Sequence, residues 1–173
     1  MGDPRKIRRK YSGPGHPWQK KRIEEEKKLL EAYGLKTKRE IWKTESKLKS
    51  FSSQAKKLIA SIGPQAEKEK KQLLSKLHRL GLVKSDAKLD DVLSLTINNL
   101  LERRLQTILV KRSMARSMNQ ARQFIVHEHV LVNNKKITAP SFLVSLDAQE
   151  NISFSPSSVL SKVDHPERVV VKK

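Results

Sequence analysis

The chain has 173 residues, of which 37 are lysine or arginine and 18 are aspartate or glutamate, so its formal net charge is +19. An excess of this size favours a polyanionic partner, with nucleic acid as the first candidate and an acidic membrane surface as the second. The sequence contains no apolar run of about 18 residues and no apolar segment after its basic start, which argues against membrane and secretory interpretations. It also has no cysteine, so disulfides, thiolate zinc sites and cysteine nucleophiles are excluded. We expect an intracellular, cytoplasmic protein with no metal and no cofactor.

Residues 1–22 are predicted to form a basic arm, since glycines and prolines at positions 13–17 interrupt regular structure. The arm contains eight cations against one aspartate, and its two aromatic rings suit stacking on bases. We interpret it as a segment that becomes ordered on RNA, and a solvated tail is the alternative. The candidate RNA-binding residues here are Arg5, Lys6, Arg8, Arg9, Lys10, Tyr11, Trp18, Lys20, Lys21 and Arg22.

Residues 23–98 are predicted to be a helical domain. A helix from Trp18 to Tyr33 should stop at Gly34, and a capping box from Thr37 to Glu40 should begin a second helix. The apolar residues of that helix recur every three or four positions: Ile41, Trp42, Leu48, Phe51, Ala55, Leu58, Ile59 and Ile62.

Two further helices complete this part of the prediction. Gly63 and Pro64 should end the second helix, and Gly81 should end a third one, from Gln65 to Leu80. Asp90 and Asp91 begin a short fourth helix, where two carboxylates at the positive end of the helix dipole need no catalytic explanation.

The best-specified stretch is Asn99–Ile137, which contains eight lysines and arginines against two glutamates. We predict a helix from Ile97 to about Val110, capped by Thr96, and a second helix opened by a capping box from Ser117 to Gln120. The second helix should bury Ala121, Phe124 and Ile125 and should leave Asn119, Arg122, Gln123 and His127 outward. Its free N–H groups and dipole at Ser117, with Arg116 beside them, predict a phosphate site.

A β-hairpin is predicted next, from Val130–Val132 through the turn Asn133–Asn134 to a return strand at 135–137. This turn should hold its two lysines close to the start of the preceding helix. The candidate RNA-binding residues of the whole stretch are Arg103, Arg104, Lys111, Arg112, Arg116, Ser117, Asn119, Gln120, Arg122, Gln123, His127, His129, Asn133, Lys135 and Lys136.

Strands are also predicted at 140–146 and 151–154, with a turn at 147–150 between them. The predicted fold class is therefore α+β, a helical N-terminal domain followed by two helices packed on a short twisted antiparallel sheet. The tail from Ser155 is loosely patterned until its three valines at 169–171, which suit either an edge strand or a protein contact. A metal site at His127 and His129 is set aside, because their spacing is not that of a zincin helix and no third ligand is evident.

Motifs in this stretch resemble the S-four (S4) RNA-binding domain. They are ERRLQT at 102–107, Ser117-x-x-Gln-Ala-Arg122 with Ile125, His127-x-His129 and Val132-Asn133. That family usually has glycine where this chain has Glu128 and Asn134. The resemblance spans roughly 99–155, which divides the chain into a basic arm (1–22), a helical domain (23–98), the S4 domain (99–155) and a tail (156–173).

Outside the S4 domain, the opening MGDPR, the pair Pro17-Trp18, KREIW at 38–42 and LDDVL at 89–93 are similar to the ribosomal protein S-four family in its archaeal and eukaryotic form. This resemblance implies a structural protein of the small ribosomal subunit that binds the 5′ domain of small-subunit rRNA and acts early in assembly. It also implies a position near the mRNA entry channel, with mRNA as a further candidate partner and ribosomal proteins S-three and S-five as neighbours. A homo-oligomer is not expected, and an effect on translational accuracy is left open. The zinc that some bacterial members bind through cysteines does not carry over.

Two alternatives use the same RNA-binding domain in another class of protein. One is an RNA-modifying enzyme, for which the lysine-rich helices before residue 99 offer no placed acid or nucleophile. The other is a ribosome-rescue factor, which should bind a free large subunit. We expect no enzymatic activity.

Overall fold

The computed structural model describes residues 9, 11–162 and 165–167, and these residues form an α+β fold as predicted. Their helices are α1 Lys20–Ala32, α2 Lys38–Ala60, α3 Pro64–Arg79, α4 Leu89–Leu93, α5 Ile97–Glu102, α6 Leu105–Lys111, α7 Met118–Val126 and α8 Leu146–Glu150. Their strands are β1 Val130–Val132, β2 Lys135–Lys136 and β3 Ile152–Phe154, followed by a 3-10 turn at Val159–Ser161. Arg5, Lys6, Arg8, Lys10 and the valines of the tail lie outside the described residues.

Glycine ends two of the N-terminal helices, as predicted. Gly34 after α1 has φ +55° and Gly81 after α3 has φ +68°, a conformation that costs glycine little because it has no Cβ. Thr37 precedes α2 as predicted, but the capping box there does not form, because the Thr37 side chain makes no cap bond. The carboxylate of Glu40, its expected partner, bonds to arginines elsewhere in the chain.

The helical part is built around α2. The faces of α2, α3, α4 and α5 bury Phe51, Leu77, Val92 and Leu100 together, while Ile59 and Ile62 are exposed against expectation. Ile62 follows the end of α2 and therefore leaves its apolar face. None of the described helices is both long and apolar enough to span a bilayer.

The single helix predicted across α5 and α6 is wrong, because the chain leaves helical geometry at Arg103 and Arg104. Arg104 has extended angles of φ −70° and ψ 143°. The Leu105 N–H donates to the Phe142 carbonyl over 2.8 Å, and the Val144 N–H donates to the Arg103 carbonyl over 3.0 Å. Backbone groups that a continuous helix would pair internally are thus paired with a distant segment.

The second half of the chain contains a three-stranded antiparallel sheet in the order β2-β1-β3. Its inner face and helices α6 and α7 enclose a separate core that includes Leu109, Phe124, Ile125, Val130 and Ile152. Helix α7 and the hairpin are confirmed, and β3 confirms the strand predicted at 151–154.

The strand predicted at 140–146 and the turn predicted at 147–150 are wrong. In the first segment, Phe142 and Val144 make the two backbone hydrogen bonds described above, which amount to an isolated bridge between Leu143 and Arg104 and not to a strand. The second segment is α8, whose N-cap Ser145 accepts a hydrogen bond from the Ala148 N–H over 3.3 Å. Because Ala148 is buried in the core, one helical turn serves the packing better than an exposed reverse turn.

Candidate nucleic-acid interface

Glu40 on α2 forms ion pairs with two arginines from the second half of the chain. Its Oε1 lies 3.0 Å from Nη2 of Arg122 on α7, and its Oε2 bonds to Nη2 of Arg104. The exposed side-chain fractions are 4% for Arg104, 16% for Glu40 and 23% for Arg122. Arg122 was expected to point outward and instead turns towards α2, because the Glu40 carboxylate attracts it. Arg104 is enclosed by protein.

The pKa of the Glu40 carboxyl shows that its charged form is favoured. Burial raises this pKa, but hydrogen bonds and charge from Arg122 and Arg104 outweigh burial and leave the pKa below its ordinary value of 4.5. Glu40 is therefore ionised at neutral pH, and it holds both guanidinium groups in place between the two halves of the protein.

A cleft of ≈ 480 Å³ opens beside this cluster. We call it the Glu40 cleft. Its walls combine apolar side chains with four cations and one carboxylate. The lining residues are Tyr11, Glu40, Lys43, Thr44, Lys47, Leu100, Arg104, Arg122, Pro140, Ser141 and Leu143.

The described end of the basic arm lies against α2. The Ser12 N–H donates to Ser46 Oγ over 3.2 Å, and Nζ of Lys43 lies 5.9 Å from the centre of the Tyr11 ring. These contacts place Tyr11 at the edge of the Glu40 cleft.

The described cations of the basic arm divide into anchored and exposed groups. Arg22 pairs with Glu26 over 2.6 Å and donates to the Pro17 carbonyl over 2.8 Å, so it fixes the path of the arm. Arg9, Lys20 and Lys21 are exposed, and the Trp18 ring is 91% exposed. An exposed indole beside cations is available for stacking on a base.

The predicted helix start at Ser117 is confirmed. Ser117 Oγ accepts a hydrogen bond from the Gln120 N–H over 3.2 Å, and Gln120 Oε1 accepts one from the Arg116 N–H over 2.7 Å. The chain's own tail also reaches this helix start. The Arg116 guanidinium donates to the Pro166 carbonyl, and Gln120 Nε2 donates to the Glu167 carbonyl over 3.0 Å. Two of the residues predicted to bind RNA, Arg116 and Gln120, thus bind backbone oxygens of the tail here.

Three further cations of the predicted site bind protein groups near α8 and α5. Arg103 donates to the Gln149 side chain over 2.8 Å, and burial lowers the pKa of its guanidinium. Arg112 donates to the Gln149 backbone carbonyl at the end of α8, and Lys111 pairs with Glu102 over 2.9 Å. Lys111 and Arg112 remain exposed, whereas Arg103 is half-buried.

The hairpin presents Lys135 and Lys136 to solvent. Asn133 and Asn134 have φ +50° and +60°, as a tight hairpin turn requires. Lys136 Nζ lies 3.6 Å from Glu128, which follows the C-terminal end of α7. This contact does not support the expectation that the turn holds the lysines close to the start of α7.

The segment that joins α7 to β1 has the backbone that the family pattern suggests. Glu128 has φ +62°, so the position where the S4 family usually has glycine is left-handed in this chain too. His129 Nδ1 lies 2.8 Å from Ser158 Oγ and its ring stacks with that of the exposed His127. Within the described part of the chain no group of three histidines or carboxylates is placed to hold a metal.

The loop after α1 packs directly on α6 and α7. Gln106 Nε2 donates to the Gly34 carbonyl over 3.1 Å and to the Met118 carbonyl over 2.8 Å. Asn119 and Gln123 are exposed on α7, and Asn119 borders this contact, since its Oδ1 would lie 3.3 Å from a Cβ at Gly34. The packing fixes the helical part against the predicted phosphate site.

From the sequence, Glu40 was assigned only to a capping box, and Lys43 and Lys47 were given no role. They are three and four residues apart on α2, which places them on one helix face beside the apolar stripe. This spacing is the signal that could have identified the lysines as a pair, but nothing local indicates that Glu40 receives arginines 64 and 82 residues away.

The S4 domain family matches residues 103–149. The chain is 51% identical over 169 residues to the "Small ribosomal subunit protein uS4" of Methanococcus aeolicus, covering 97% of this chain and 96% of that protein. It is 49% identical over 158 residues to the protein of the same name from Ignicoccus hospitalis, covering 91% and 95%. The corresponding Methanococcus maripaludis protein is 47% identical over 169 residues, covering 97% and 95%.

Proposed function

The chain belongs to the uS4 family of small ribosomal subunit proteins, and we propose that it is a structural, non-enzymatic constituent of that subunit which binds its rRNA directly. The observation that carries this proposal is the similarity to archaeal proteins named for the small subunit along nearly the whole chain. A net charge of +19 supports a polyanionic partner. The location that follows is the cytoplasm, within the ribosome.

Exposed cations are the groups we assign to phosphates. In the S4 domain these are Lys111, Arg112, Lys135 and Lys136, with His127, Asn119 and Gln123 as neighbouring polar groups. In the arm they are Arg9, Lys20 and Lys21, together with the Trp18 ring.

The arginines that bind other protein groups have a different proposed role. Arg103 and Arg104 bind protein groups, so we assign them to holding the RNA-binding face in shape. Arg116 and Gln120 bind carbonyl groups of the tail, so a phosphate would compete with Pro166 and Glu167 for these two side chains.

Family membership also leads us to propose four more specific properties of this chain. They are binding to the 5′ domain of the rRNA, early entry into the assembling subunit, a position near the mRNA entry channel and contact with ribosomal proteins S-three and S-five. An early-binding protein should recognise its RNA domain without other proteins. The purified chain should therefore bind a transcript of the 5′ domain and not one of the 3′ domain, and equal affinity for both would contradict the 5′ assignment.

Filter retention of the purified chain on small-subunit rRNA, measured between 50 and 200 mM salt, tests the proposal directly. Contact with about six phosphates should lower the affinity about 10³-fold over that range. Preference for large-subunit rRNA would overturn the proposal. Incubation with rRNA should also yield no modified nucleosides.

The double variant Lys135→Gln/Lys136→Gln tests the hairpin without disturbing the core, since both lysines are exposed. We expect weaker binding and a salt slope reduced by about 2, one for each lost phosphate contact. Lys27→Gln/Lys28→Gln on α1 is the matched control, because it removes the same charge from adjacent exposed lysines. An equal loss in both variants would leave the hairpin without a specific role.

A further inference from the structure

The Glu40 cleft has the two kinds of wall that an unstacked nucleotide needs. Leu100, Leu143 and Pro140 supply apolar surface, and the Tyr11 ring lies at the edge. Unstacked RNA bases are recognised by stacking on aromatic side chains and by apolar contact. The volume of ≈ 480 Å³ lies within the range of about 300–1,000 Å³ that is typical of small-ligand sites.

The charges of the Glu40 cleft favour an anion. Four cations and one carboxylate line it, so its local charge is +3. Glu40 is occupied by Arg104 and Arg122, and among the described residues no carboxylate pairs with Lys43 or Lys47. The two lysines are both exposed and one helical turn apart on α2, so they can contact the same phosphate or adjacent ones.

The surroundings hold this arrangement in place before any ligand binds. Arg104 and Arg122 are fixed by the Glu40 carboxylate, and Thr44 Oγ1 donates to the Glu40 carbonyl over 2.8 Å. Groups that are already ordered lose little conformational freedom on binding, which favours affinity. An inorganic anion would use the cations alone and would leave the apolar walls without a partner.

We propose that the Glu40 cleft receives one unstacked nucleotide of the rRNA, with the base between Tyr11 and the apolar wall and its phosphates on Lys43, Lys47 and Arg122. The proposal rests on the proposed function, because it presumes that the chain binds rRNA. It adds a site formed jointly by α2, the arm and the S4 domain, which the S4 domain alone cannot supply.

The first test compares two double variants on the same helix. Lys43→Gln/Lys47→Gln removes the cleft lysines, and Lys56→Gln/Lys57→Gln removes two exposed lysines away from the cleft. Both lower the net charge by two, so any loss from general electrostatics is shared. In rRNA filter binding we expect the cleft pair to lose about tenfold more affinity than the control pair. Equal losses would overturn the proposal.

The second test fills the Glu40 cleft without changing charge. Ser141 is exposed and lines the cleft, whereas Ser53 is exposed on α2 away from it. We expect Ser141→Trp to weaken rRNA binding about tenfold, the scale of one lost base contact, and Ser53→Trp to bind as the parent chain does. Circular dichroism of both variants checks that they fold. A folded Ser141→Trp chain with full affinity would overturn the proposal.

The third test uses small probes on the full chain. Titration with uridine or adenosine 5′-monophosphate, followed by amide NMR shifts, should move the signals of Thr44 and Ser141 more than inorganic phosphate does. Equal shifts with phosphate would overturn the base-binding part. Failure of this proposal can be distinguished from failure of the proposed function. If all cleft variants bind rRNA as the parent chain does, the nucleotide site is refuted and the ribosomal assignment is unaffected. If the parent chain itself does not bind rRNA, both are refuted.

Discussion

Replacing Glu40 with glutamine should destabilise the protein more than the removal of one exposed surface charge would. The change keeps the size of the side chain but leaves two arginines beside each other without their counterion. Breaking a buried ion pair by removing one partner costs about 3–5 kcal/mol. Because Glu40 is 16% and Arg122 23% exposed, water recovers part of that loss, and we expect a decrease of about 2–3 kcal/mol in the free energy of unfolding.

Urea denaturation at pH 7, followed by circular dichroism, measures this decrease. Thermal melting gives a second measurement. For a chain of this length each kcal/mol of unfolding free energy corresponds to about 2–4 °C in Tm, so the Tm of Glu40→Gln should be about 4–12 °C below that of the parent. The matched control is Glu45→Gln on the same helix. Glu45 pairs with Lys49 over 2.8 Å, but their side chains are 38% and 66% exposed, and such a pair contributes at most about 1 kcal/mol.

The pH dependence gives an independent check. The folded-state pKa of Glu40 lies below its ordinary value, so its stabilising contribution is present above pH 4.5 and is lost as the pH falls through the folded pKa. The difference in unfolding free energy between the parent and Glu40→Gln should therefore shrink in acid. If Glu40→Gln unfolds like Glu45→Gln at pH 7, or if the difference is the same at pH 3, the two-arginine contact does not join the halves of the protein.

Two glycine-related changes should act in opposite directions. Gly34→Ala places a Cβ 2.6 Å from Met118 Cβ at φ +55°, and because the backbone cost alone is about 1–2 kcal/mol, thermal melting should show a clearly lower Tm. Gly13→Ala is the control, since no atom lies within 4 Å of the added carbon and its Tm should be nearly that of the parent; equal Tm values for the two variants would refute the close packing at Gly34. Glu128→Gly relieves a left-handed non-glycine residue and should raise the unfolding free energy by about 0.5–1 kcal/mol. Glu128→Gln, which keeps the strain and removes the exposed pair with Lys136, should change it by less than about 1 kcal/mol, and a destabilised Glu128→Gly variant would contradict this account.

Short-range signals in the sequence determined much of the secondary structure. Gly34 and Gly81 end helices, Ser117 and Gln120 cap α7, and Asn133–Asn134 forms the hairpin turn, because each of these features needs only residues a few positions apart. The S4 pattern is of the same kind, and it extends to the left-handed backbone at Glu128, where this chain lacks the usual glycine.

Tertiary structure decided which polar groups remain available to RNA. A run of arginines in the sequence does not show that Arg104 is enclosed by Glu40, that Arg103 binds Gln149, or that the chain breaks its helix at these residues to pair with the segment 142–144. The physical reason is distance along the chain. A carboxylate 64 residues away neutralises Arg104 only once both halves have folded, and both residues then line the Glu40 cleft. Composition alone determined that the chain is cationic, and the ion pairs from Glu40 on α2 to Arg104 and Arg122 determined where part of that charge can be used.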